Sequence, residues 1–142
     1  MLRRRAFLAL PALLPAAVAE AHSYRQGELM IGHAWCLPST GATTKAFMPL
    51  AVSGTRGDVL VRATTPVADA VAFHPVAGQP AAARWEIAPR RPVGMRADGP
   101  HLMLAGLKRA LAVRDRFPLT LVFENNGAKD IEIWVESSPY SS

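Results

Sequence analysis

The sequence predicts an all-β domain built as a two-sheet Greek-key sandwich, and three observations predict it. Short runs alternate apolar and polar residues with period 2, which on a strand separates a buried face from a solvated one. Clusters of Gly, Pro, Asn and Asp punctuate those runs at the spacing of short strands. No long stretch holds the helical period, and no internal repeat is visible.

Taken in order, the expected strands are Leu29 to Trp35, Lys45 to Val52, Val59 to Ala63, Ala70 to Phe73, Ala83 to Ile87, His101 to Ala105, Leu119 to Glu124 and Ile131 to Glu136. The turns between them are Ser53 to Asp58, Pro75 to Pro80, Ala97 to Pro100 and Asn125 to Gly127. Asn126-Gly127, flanked by the last two runs, is a hairpin signal. Eight short strands in one domain give the sandwich, an architecture shared with the copper-binding cupredoxins. Fold alone assigns no function.

The chain has 142 residues, enough for one domain. Its first 21 residues read as a cleavable export signal, leaving 22–142 as the folded unit. Arg3, Arg4 and Arg5 form a basic start, Phe7 to Val18 is an apolar stretch broken by Pro11 and Pro15, and small-x-small cleavage sites follow at Ala17 to Ala19 and Ala19 to Ala21. The stretch is too short and too broken for a stable membrane anchor. Arg4-Arg5-Ala6-Phe7-Leu8 is compatible with twin-arginine export as well as with the ordinary Sec route. Either route places the mature protein in the periplasm.

Removing three arginines and Glu20 from the 16 basic and 11 acidic residues leaves 13 and 10, a net charge of +3. The mature part carries no basic run longer than Arg90-Arg91 or Lys108-Arg109, so a nucleic-acid footprint is absent. The single cysteine, Cys36, excludes an internal disulfide and reads as a small buried residue between Trp35 and Leu37. The carboxylates Glu86, Asp98, Asp115 and Glu124 are scattered, and no nucleophile-base motif or phosphate loop accompanies them, so the chain does not read as an enzyme. Asp98, in the Asp98-Gly99-Pro100 turn, is expected to cap backbone rather than to bind a metal.

The chemistry lies in Gly99-Pro100-His101-Leu102-Met103-Leu104. On a strand, residues i and i+2 share a face, so the imidazole of His101 and the thioether of Met103 aim the same way. That pair suits copper, above all Cu(I). The bland alternative is a rim histidine beside a core methionine.

Several separated segments together resemble the PCu(A)C family of periplasmic copper chaperones. They are His22 to Leu29, Ile31-Gly32-His33-Ala34-Trp35, Ala70 to His74, His101 to Lys108 and Phe117 to Glu124. The resemblance implies a cupredoxin-like sandwich that binds Cu(I) through two histidines and two methionines. It also implies delivery to a copper-accepting protein, such as a cytochrome oxidase subunit or another copper chaperone. His74 fits the first histidine, and His101 with Met103 fits the closing pair. The first methionine has no counterpart, because Pro75 to Trp85 contains none and the loop is shortened.

The expected site is therefore His74, His101 and Met103, with Cu(I) favoured and Cu(II) accommodated. Its fourth ligand is Met95, His22 or none. Met95, Met48 and Met30 read as packing residues, and His33 as a hydrogen-bonded structural histidine. Trp85 stands near the vacant methionine position, where a ring can only shield a cation. His22 becomes a terminal chelate only if cleavage follows Ala21. Two functions compete: a periplasmic copper-binding chaperone, and a non-metal-binding interaction or assembly module of the same family.

Overall fold

The computed structural model describes residues 23–137. They form eleven strands: β1 (Tyr24–Gln26), β2 (Leu29–Ile31), β3 (Trp35–Cys36), β4 (Thr43–Phe47), β5 (Leu50–Val52), β6 (Asp58–Thr64), β7 (Ala68–His74), β8 (Trp85–Ile87), β9 (His101–Leu107), β10 (Arg116–Phe123) and β11 (Gly127–Val135). No helix occurs among the described residues, as the all-β expectation requires. The expected signal sequence and His22 lie outside them.

The strands make two sheets, a small one ordered β1-β2-β5 and a large one ordered β7-β9-β4-β3-β11-β10-β6-β8. Chain connectivity forces the large sheet to curl. β6 and β7 stand six positions apart, which in a flat sheet is about 29 Å at normal strand spacing. Yet only Thr65, Pro66 and Val67 join them, and that link reaches about 15 Å at most. The sheet therefore bends until it is nearly closed. The core fills its concave side: Leu60, Leu102, Leu104, Leu119, Leu121 and Ile133 are all fully buried.

Two of the expected strands are each cut in two, at the same place. The run from Leu29 breaks at Gly32, and the run from Lys45 breaks at Pro49. In both cases the chain crosses from one sheet to the other, β2 to β3 and β4 to β5. Pro49 offers no N–H to the ladder, which ends β4. Gly32 donates its N–H to the Pro49 carbonyl at 2.9 Å. A Cβ at Gly32 would stand 2.8 Å from the Pro49 ring, so only glycine lets the two backbones approach this closely.

β1 was not legible as a strand. Its burial pattern is half-buried, exposed, half-buried, and it is held by its register with β2 rather than by an apolar stripe. The same small sheet overturns the packing role expected for Met30. Leu29 and Ile31 are buried, period 2 turns Met30 outward, and it is 44% exposed with Arg25 Nη2 donating to its sulfur at 3.6 Å. Met48 is buried in the core, as expected.

The hairpin signalled by Asn126-Gly127 joins β10 to β11, with Phe123 paired to Gly127 across a three-residue loop. Gly127 takes a left-handed φ of 78°, which suits glycine at the close of such a loop. A residue of another strand holds this loop in place. The carboxylate of Asp58, only 3% exposed, accepts from the N–H groups of Val59, Asn125 and Asn126 and from Asn126 Nδ2, at 2.6–3.1 Å. A buried charge of this kind is tolerable because its lone pairs are taken up by donors.

Cys36 is fully buried on β3, as the sequence predicts. Its thiol is pushed up to about 12, chiefly by burial and secondarily by the charges of Asp115 and Glu136.

Two stability predictions follow. Asp58→Ala leaves four buried or half-buried donors without an acceptor, and urea unfolding should show a loss of about 3 kcal/mol. For Cys36, the unfolded chain releases the thiol proton near pH 9 while the folded protein keeps it to about pH 12. Its contribution is thus present below pH 9 and is lost as pH rises through that window, at about 1.4 kcal/mol per pH unit. Cys36→Ala should lack that part of the slope when unfolding is followed from pH 8 to 11.

Candidate metal site

β9 reads His-Leu-Met-Leu-Ala-Gly-Leu; its burial alternates from Leu102 to Ala105, and His101 at its start is covered as well, only 6% exposed. Leu102 and Leu104 are fully buried in the core. His101, Met103 and Ala105 must then share the outer face of the sheet. β7 repeats the logic: Phe73 is buried and Val71 packs on the core, which puts His74, Ala72 and Ala70 on the outer face.

The β7–β9 ladder fixes what meets what on that face. His74 stands directly opposite His101, and Ala72 opposite Met103. Directly opposed residues have Cβ atoms about 5 Å apart, so the two imidazoles are neighbours by backbone register alone. Their rings stack with centroids 4.9 Å apart and planes within 12°. Ala72, the smallest side chain with a Cβ, leaves the space beside Met103 open. Met103 itself is half-buried.

Hydrogen bonds fix the proton on each ring. His101 Nδ1 lies 2.8 Å from the Gly99 carbonyl, and His74 Nδ1 lies 3.3 Å from the Gln79 carbonyl. A carbonyl oxygen only accepts, so in both neutral rings Nδ1 carries the hydrogen and Nε2 keeps its lone pair. Backbone carbonyls commonly orient metal-binding histidines in this way. Two bare Nε2 atoms and a thioether on one face are soft and borderline donors of the kind copper takes.

The other candidates are placed elsewhere. Trp85 is buried in the core on β8, opposite Leu60, so its indole is taken up by packing. Met95 is half-buried and packs against the core cluster, in line with its expected packing role. His33 Nε2 meets Glu136 Oε1 at 2.7 Å and its ring lies edge-on to Trp134, the structural histidine the sequence predicts. Asp98 is not the backbone cap expected of it. Its carboxylate is exposed and pairs with Arg96 Nε at 3.2 Å. Among the described residues no three His, Cys, Asp or Glu side chains converge on a metal-sized space.

Sequence reasoning missed three groups that shape this surface. The carbonyls of Gly99 and Gln79 carry no side-chain signal. Lys45 on β4 faces Met103 across the ladder, a neighbour that only the register of β4 on β9 reveals. Two open depressions, of about 480 and 410 Å³, lie along Arg56, Asp58, Glu86 and Glu124 and along Glu28, Gly54 and Asn126. Neither is lined by His74, His101 or Met103. The histidine pair, His101 covered and His74 half-buried, is a place for an ion rather than a cleft for an organic substrate.

Comparison with known proteins agrees with this architecture. Residues 29–135 match the LpqE-like lipoprotein family. No curated protein sequence matches the chain. Among solved structures, the copper-bound PCuAC domain from PmoF2 superposes with a TM-score of 0.75 at 26% identity, over 82% of this chain and 99% of that one. The solution structure of CuI-DR1885 from Deinococcus radiodurans gives 0.62 at 26% identity, over 75% and 78%. The apo PCuAC domain from PmoF1 gives 0.76 at 21% identity, over 82% and 100%, a likeness of fold. The β-sandwich is thus that of the PCuAC domains, and with the matched segment spanning most of its length the chain belongs to the LpqE-like family as a PCuAC-like member.

Proposed function

We propose that this protein is an exported copper-binding chaperone that holds copper at His74, His101 and Met103 and passes it to an accepting protein. The observation that carries the proposal is the pair of facing imidazoles whose Nδ1 hydrogens are engaged by carbonyls, leaving both Nε2 atoms to bind. Two of the similar structures hold copper, the PmoF2 domain and CuI-DR1885, and this supports copper as the cargo.

The chemistry is that of exchange rather than storage. The two rings lie nearly parallel, so their in-plane lone pairs run side by side. His74 ends an edge strand and is followed by the exposed Val76, so an incoming ligand from another protein can reach the ion. With no thioether in the loop after His74, the site has three protein ligands and a position open to that donor. The Met103 sulfur favours the monovalent ion, and two imidazoles also accept Cu(II).

Export by the first 21 residues, with 22–142 as the working domain, completes the reading, and membership of a lipoprotein family is consistent with it. In this reading the protein acts by binding, in keeping with the PCuAC domains it is similar to. The family resemblance extends the proposal to delivery toward cytochrome oxidase assembly. The missing thioether favours a second reading, an interaction module that has lost its metal, and one measurement separates the two. The first requires the protein to retain Cu(I) against a competing chelator; the second requires it to give the ion up.

His101→Ala should abolish copper uptake, from one equivalent to none by elemental analysis, while circular dichroism still reports the folded sheet; the urea midpoint falls, because a covered ring and its bond to the Gly99 carbonyl are lost, at a cost of about 1–2 kcal/mol. Unchanged stoichiometry in that variant would overturn the site. Met103→Leu conserves side-chain volume and removes only the soft donor, so Cu(I) retention should fall more than Cu(II) retention.

A further inference from the structure

We propose that Lys45 is a positioning residue for the His101 imidazole, acting through the turn that leads into β9; the proposal rests on the reading of His101 as a copper ligand. On β4, Thr44 and Ala46 are buried, so Lys45 between them lies on the outer face, and its register partner is Met103. The side chain is committed there rather than trailing into solvent. Its Nζ donates to the Ala97 carbonyl at 2.9 Å.

Ala97 belongs to the turn Arg96–Gly99, closed by the Gly99 N–H on the Arg96 carbonyl at 3.1 Å and seated by the Arg96 N–H on the Pro100 carbonyl at 2.9 Å. The same turn supplies the Gly99 carbonyl that accepts from His101 Nδ1. The ammonium thus grips, from the strand on the other side of Met103, the short segment whose carbonyl decides which nitrogen of His101 is bare. The ion pair of Arg96 with Asp98 is internal to the turn and largely exposed, so it ties nothing to the sheet. Upstream the chain is held by Met95, half-buried against the core, and by Val93, which exchanges hydrogen bonds with Leu50. A charged donor on a carbonyl is among the stronger hydrogen bonds available at a surface.

The charge of Lys45 makes the test directional. An ammonium beside a bound cation opposes it, so removing the charge by itself strengthens copper binding. Loss of affinity on removal is therefore the signature of positioning.

The experiment uses Lys45→Met, which keeps the stem and loses the donor, and Lys45→Arg, which keeps both charge and donor. Two quantities are read: Cu(I) retention against a chromogenic chelator, and the His101 tautomer in the metal-free protein from ¹⁵N ring shifts at a pH where the ring is neutral. Lys45→Met should lose about tenfold in Cu(I) retention, the lower end of the range for groups that orient a ligand, and should mix the two tautomers. Lys45→Arg should restore both. Retention that is unchanged or raised in Lys45→Met, a tautomer that stays single, or an arginine variant that folds but restores neither would overturn the proposal. If the wild-type protein retains no copper, the ligand reading fails by itself. The tautomer comparison then decides alone whether Lys45 positions the ring.

Discussion

Leu102 and Leu104, both fully buried, are the constraint on which the site depends. They anchor β9 in the middle of the core, and because side chains on a strand alternate, every odd position of that strand is sent to the outer face. A slip of one residue would turn His101 and Met103 toward the core and expose two leucines, at a cost of several kcal/mol for the apolar area alone, about 2 kcal/mol for each leucine. The direction of the donors is therefore as secure as the core. The position of His74 follows from the same anchoring, since Phe73 pairs with Leu102 and brings His74 opposite His101.

A site built this way is oriented by rigid parts and yet lies at the margin of the molecule. β9 is flanked on both sides, whereas β7 is the edge of the large sheet. One imidazole, 6% exposed, is thus held in the body of the sheet, and the other ends a strand with a loop beyond it. An ion carried between an anchored ligand and a peripheral one can be approached by a third donor before the anchored bond is broken. Transfer between proteins requires that sequence of contacts, and a closed four-ligand cage would resist it.

Most of the site was legible because period 2 is a local property. His101-Leu102-Met103-Leu104 declares its two faces without reference to any other strand, and the buried, structural roles of Cys36, Met48 and His33 follow from equally local surroundings. What was not legible is non-local. The opposition of His74 to His101 depends on how two strands separated by a long connection are registered, and the sheet crossings at Gly32 and Pro49 depend on a contact between two strands. Met30 was misjudged because a methionine between two apolar neighbours reads as a packing residue, when a strand that buries Leu29 and Ile31 turns the residue between them outward. β1 was missed because its residues carry no apolar stripe; its ladder with β2 supplies the stability its composition lacks.

The loop after His74 is tied back to the strand it leaves. No thioether remains between Pro75 and Trp85, but the loop has not become a bare connection. Ala82 returns along β7 to donate to the Phe73 carbonyl at 2.9 Å, and this brings the Gln79 carbonyl to Nδ1 of His74. This loop thus fixes the tautomer of the His74 ring. Gly99 does the same for His101 from the other side of the ladder. Two turns from different parts of the chain each place one carbonyl behind one imidazole. Both Nε2 atoms are thereby left as acceptors, the state in which an imidazole can take a metal ion.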